Sequence, residues 1–93
     1  MIRTFADRRT EEVFRYGTPR SLPGSVVHRM RQRLEILEQA RSLGDLASPR
    51  SNRLHRLYGD RAGQYSISVN RQWRICFRFL DGDAYDVEIV DYH

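Results

Sequence analysis

Two hydrophobic periodicities divide the chain. From Pro23 to Ser42, Val27, Met30, Leu34 and Leu37 recur three and four residues apart, flanked by Val26, Ile36 and Ala40. That stripe predicts an amphipathic helix lying on an apolar surface. Its other face is polar, with Arg31 and Glu35, and Glu38 and Arg41, spaced so that opposite charges support each other. Leu43-Gly44 is read as its end. Upstream, Asp7 to Tyr16 predicts a shorter helix with Thr10 or Asp7 as N-cap, Gly17 as stop and Val13, Phe14 and Tyr16 as inward contacts. The connector GTPRSLPGS holds two prolines and two glycines, which end one helix before the next begins. MIRTF, with Ile2 and Phe5 apolar, predicts a short first strand.

After GDLASPRSNR, read as a loop, the period becomes two. LHRL predicts a short strand, YGDRAG a turn, and QYSISVN a strand with Tyr65, Ile67 and Val69 on one face. WRICFRFL places Trp73, Ile75, Phe77 and Phe79 opposite Arg74, Cys76 and Arg78. DGD is a hairpin turn, and AYDVEIV returns with Tyr85, Val87 and Ile89 toward the core. Helices followed by a meander predict an α+β fold, two N-terminal helices on one face of an antiparallel sheet of four or five strands. The length of 93 residues predicts a single domain spanning residues 1–93. The sheet face carrying Arg74 and Arg78 is left open.

Composition adds three constraints. The chain contains no apolar run of membrane-spanning length, and its first residues lack a hydrophobic signal core. A lone cysteine, Cys76, has no partner for a disulfide or a metal knuckle. Together these predict a soluble cytoplasmic protein without membrane contact. All 16 basic residues are arginine. Residues 46 to 80 hold seven arginines against one aspartate, +6, whereas residues 81 to 93 hold five acids and no arginine, −5. Arginine binds phosphate through a planar fork and stacks on bases, so the middle of the chain suits a polyanion. The competing explanation is charge carried for solubility alone.

Three polar clusters converge if these strands are neighbours. They are Asn52, Arg53, His55, Arg56 and Tyr58; Arg74 and Arg78; and the terminal Asp91, Tyr92 and His93. RNA is cleaved by its own 2′-hydroxyl once a base removes that proton, a cation holds the phosphorane and an acid protonates the 5′-oxygen. Histidine, carboxylate, tyrosine and arginine supply those parts without metal or cofactor. Each residue also has a plainer reading. His55 as a half-buried strand residue and Arg74 as the partner of Asp86 or Glu88 on the next strand both stand at this point. A regular strand would carry Tyr92 to the face of Arg74 and leave Asp91 and His93 on the core parity, so the three meet only if the tail bulges or leaves the sheet near Val90.

NRLHRLYGDRAGQYSISVNRQWRICFRF followed by DGDAYDVEIVDYH resembles the HigB-type toxins of bacterial toxin–antitoxin modules, within the RelE/ParE superfamily. The resemblance implies a microbial-ribonuclease-like fold and an endonuclease that cuts mRNA in the A site of the small ribosomal subunit. It also implies a helix-turn-helix antitoxin of HigA type, through which alone the toxin would meet operator DNA. By position it implies active-site roles for His55, Arg74, Asp91, Tyr92 and His93. Arg53, Arg56, Tyr58, Arg61 and Arg78 are then read as RNA-contacting. Tyr58 stands where the family places a lysine, so either Arg56 replaces that cation or Tyr58 stacks on a base. The alternative function is that of the ParE branch, non-catalytic inhibition of DNA gyrase, which would not need the polar set. A third is a remnant that binds RNA without cutting it.

Overall fold

The computed structural model describes residues 1–17 and 22–92. His93 and the Thr18 to Ser21 part of the connector lie outside the described residues.

The first helix, α1, spans Arg8–Tyr16. Of the two candidate caps it uses Asp7, whose carboxylate accepts from the Thr10 amide at 2.8 Å. Thr10 itself is fully buried, and its hydroxyl accepts a hydrogen bond from the Ile89 amide at 2.9 Å. Gly17, at φ 68°, ends the helix in the left-handed conformation that glycine adopts without strain. Val13 is buried as expected, but Tyr16 is exposed at the last turn.

Helix α2, Gly24–Gln39, buries Val27, Met30, Leu34 and Leu37, the stripe read from the sequence. It stops earlier than expected, because Ser42 starts a separate helix, α3, Leu43–Ala47. The Ser42 hydroxyl accepts from the Asp45 amide while the Asp45 carboxylate accepts from the Ser42 amide, a reciprocal capping box. Leu43-Gly44 therefore opens a helix instead of closing one, and Leu46 in the expected loop is fully buried.

Strands β1, His55–Arg56, β2, Tyr65–Ser68, β3, Trp73–Leu80, and β4, Asp83–Asp91, form an antiparallel sheet in that order. Ile67, Ile75 and Ile89 align across three strands, and all three are essentially buried beneath the helices. The expected first strand is reduced to single parallel bridges, Ile2 with Ala84 and Phe5 with Val87. Amides of Arg3 and Ala6 donate to the Ala84 and Val87 carbonyls, so this segment covers much of the free edge of β4. At the β3–β4 hairpin Asp81 and Gly82 lie at φ 51° and 82°, the paired positive values of a two-residue turn matched to strand twist.

One irregularity corrects the predicted facing of β4. Cys76 pairs with Glu88 but Arg78 pairs with Tyr85, so Asp86 and Val87 together oppose Phe77. This is a β-bulge, with Asp86 at φ 52° and its amide held by the Thr4 hydroxyl at 2.8 Å. The extra residue reverses parity. Ala84, not Tyr85, enters the core before the bulge, and Tyr85 shares a sheet face with Arg78.

Candidate active site

Beyond the bulge β4 is regular to its end, pairing Val90 with Arg74 and Asp91 with Trp73. Arg74 thus lies on the open face of the central strand, between Ser68 of β2 and Val90 of β4. Its Nη1 donates to the Ser66 hydroxyl at 2.9 Å, and its guanidinium carbon lies 4.8 Å from the centroid of the Tyr92 ring. Tyr92 follows β4 and is anchored by its amide to the Gln72 carbonyl. The stack and the hydrogen bond hold the guanidinium from two directions.

The two acids that could have paired with Arg74 are engaged elsewhere. Glu88 binds Arg61 at 3.1 Å, and Asp86, carried by the bulge, binds Arg78 at 3.4 Å. Among the described residues no carboxylate forms a salt bridge with Arg74. The cross-strand pairing considered for this arginine is therefore made by its neighbours.

Around Arg74 the open face sinks into a cleft of about 410 Å³. His55, Arg56 and Arg61 border it from β1 and the turn beyond, Ser66 and Cys76 form part of its floor, and Val90 and Tyr92 enter from β4 and the segment after it. His55 is exposed, not half-buried within a strand. Arg56 lies 5.8 Å from the Tyr65 ring centroid, and a hydrogen bond to the Tyr65 hydroxyl raises its affinity for the proton. Burial pushes the Cys76 thiol above its ordinary value, and the nearby Arg61 and Arg74 oppose that shift. The thiol is a packed floor group, not an activated nucleophile.

The structure thus brings His55, Arg74 and Tyr92 together, with Arg56 and Arg61 at the rim. It does not bring Asp91 to the cleft. The strand stays regular near Val90, and Asp91 pairs with Trp73 on the other parity, within 3.4 Å of the Gln72 side-chain amide. His93 lies outside the described residues. Of the residues read as RNA-contacting, Arg53 borders a neighbouring basin, Tyr58 is 78% exposed away from the cleft lining, and Arg78 is held by Asp86. Ser66 was missed, although its alternation with Ile67 was enough to place it on the open face with Cys76. Among the described residues no cluster of three or more histidine, cysteine or acidic side chains is disposed to hold a metal ion. No helix among them is long and apolar enough to cross a membrane.

Comparison with known proteins agrees with this architecture. A family model described as RelE-like toxin of type II toxin-antitoxin system HigB matches residues 3–93. The chain is 38% identical over 93 residues to Endoribonuclease HigB of Proteus vulgaris, covering 100% of both. It is 40% identical over 65 residues to Toxin HigB-1 of Vibrio cholerae serotype O1, covering 70% of this chain and 68% of that one. Its fold is similar to a chain in the YoeB-YefM complex from Staphylococcus aureus, with TM-score 0.63 and 14% identity over 100% of this chain and 98% of that chain.

Proposed function

The chain belongs to the HigB family of RelE-like toxins of type II toxin–antitoxin systems, and from that premise we propose that it is an endoribonuclease that cleaves mRNA on the ribosome. The observation that carries the reading is Arg74, held by Ser66 and stacked on Tyr92 in a cleft bordered by His55. A guanidinium that no described carboxylate pairs, fixed from two sides, is suited to a phosphodiester that gains charge as it reacts.

In the proposed reaction the 2′-oxygen of the message attacks the adjacent phosphorus as a base removes its proton. The bond to the 5′-oxygen breaks, that oxygen takes a proton, and a 2′,3′-cyclic phosphate remains. Arg74 stabilises the phosphorane. His55 and Tyr92 position the RNA or assist the leaving oxygen, and His93 or Asp91 serves as base. The register of β4 turns Asp91 away from Arg74, so Asp91 acts as base only if the strand end shifts toward the cleft.

The proposed setting is the cytoplasm and the A site of the small ribosomal subunit. The proposed partner is a helix-turn-helix antitoxin through which alone the toxin meets operator DNA. Gyrase inhibition is not favoured by a family match to HigB.

Primer extension on a reporter message with purified ribosomes, comparing the wild-type protein with one lacking His93, tests the reading. Discrete cuts at codons, lost with His93, are expected. Toxicity in cells without cuts from the wild-type protein would overturn it.

A further inference from the structure

Next to the cleft lies a second basin of about 590 Å³, with Arg74 and Tyr92 as the border common to both. Arg29 of α2, Arg53 after the Arg50–Asn52 turn, and Arg71 at the β2–β3 turn complete its basic lining, and among the described residues no carboxylate lines it. Each of these three arginines is exposed. They come from segments far apart in sequence, so folding gathers four like charges around one concavity.

Like charges gathered in this way repel and cost stability unless an anion fills the space between them. The frame that holds them is firm. Arg33, one turn beyond Arg29 on the same side of α2, donates from Nε to the Ser68 carbonyl at 3.0 Å and ties that face of the helix to β2. At the β2–β3 turn the Asn70 side chain accepts from the Gln72 and Trp73 amides, both at 2.8 Å, and the Ser68 hydroxyl donates to the Asn70 carbonyl at 3.1 Å. Arg71 projects from a braced turn. The shared border makes the two hollows one continuous track.

We propose that this second basin binds the phosphodiester backbone of the substrate strand beside the scissile linkage, through Arg29, Arg53 and Arg71. Tyr92, 57% exposed at the junction, offers its ring to a flanking base. The inference rests on the endoribonuclease reading for the identity of the strand. A single-stranded RNA is favoured because the basin continues the cleft and its lining combines a basic surface with an aromatic ring at the border.

The test is fluorescence anisotropy with a fully 2′-O-methylated single-stranded oligonucleotide, which cannot be cut, across a salt series. The proteins are wild type, Arg29→Gln with Arg71→Gln, and Arg29→Lys with Arg71→Lys. Loss of two phosphate contacts lowers the logarithmic salt slope by about 1.4, so between about 50 and 200 mM salt the wild type loses about sevenfold more affinity than the glutamine variant. The lysine variant keeps the wild-type slope and melting temperature, and the glutamine variant, relieved of two repelling charges, melts no lower than the wild type. Equal slopes for wild type and the glutamine variant would overturn the proposal, as would failure of the wild type to bind the oligonucleotide. Unchanged oligonucleotide binding with weakened binding to vacant small subunits would also overturn it, assigning the basin to ribosomal RNA. Because the probe is uncleavable, failure of the nuclease reading appears separately, as absence of cuts on programmed ribosomes.

Discussion

Replacing Arg74 by methionine separates its structural work from its chemical work. Methionine keeps the apolar stem over the sheet but removes the donor to Ser66, whose side chain is fully buried, and the cation 4.8 Å from the Tyr92 ring. A buried hydroxyl deprived of its partner costs about 1–3 kcal/mol, and a partly exposed cation–π contact contributes about 0.5–1 kcal/mol. For a domain of this size each kcal/mol corresponds to a melting shift of roughly 4–8 °C, so a fall of about 6–30 °C is expected in a thermal scan. Adding Ser66→Ala removes the orphaned hydroxyl and restores most of that fall. Cleavage behaves differently. Loss of one preorganised group facing a developing anion lowers a rate by about 10²–10³, and Ser66→Ala does not recover it. Arg74→Lys retains the charge without the planar fork and falls between the two. The assay is single-turnover cleavage on programmed ribosomes at saturating toxin, where weakened binding does not enter. An Arg74→Met protein that cuts within tenfold of wild type, or regains its rate together with its stability when Ser66 is removed, would refute the argument.

The packing carries further predictions. Thr10→Val, nearly isosteric, leaves the Ile89 amide without the hydroxyl that accepts its proton, and chemical denaturation should show a loss of about 1–3 kcal/mol. Gly82→Ala forces a side chain into φ 82° with its Cβ 3.1 Å from the Arg41 carbonyl oxygen, and a loss of at least about 1 kcal/mol is expected by the same measurement. Cys76, 4% exposed, should resist alkylation until the protein unfolds. Burial raises its folded thiol above the unfolded value, so the folded state holds the proton more tightly; stability is therefore retained below the ordinary thiol range and declines as pH rises through it, which denaturation at pH 7 and pH 10 checks.

The sequence by itself determined the features whose causes are local. The α2 stripe, the Gly17 stop and the Asp81-Gly82 turn follow from side-chain spacing and backbone preference within a few residues, which narrowed the α1 cap to Asp7 or Thr10. Alternation in β3 likewise placed Arg74 on the open face, and Tyr92 joined it because β4 ends in register. The Ser42 capping box was equally local and was overlooked because Leu43-Gly44 also reads as a helix end. Tertiary structure decided the rest. The bulge at Asp86 depends on Thr4, 82 residues away, and it reverses the facing of Tyr85 and Ala84. Whether Arg74 would be consumed by an acid depended on Arg61 and Arg78 reaching Glu88 and Asp86 first. Arg29 carried no signal at all, since a basic residue on the polar side of a helix looks the same whether it faces bulk water or a basin shared with a distant turn. Charge partners and concavities depend on distances through space, and a one-dimensional pattern records only distances along the chain.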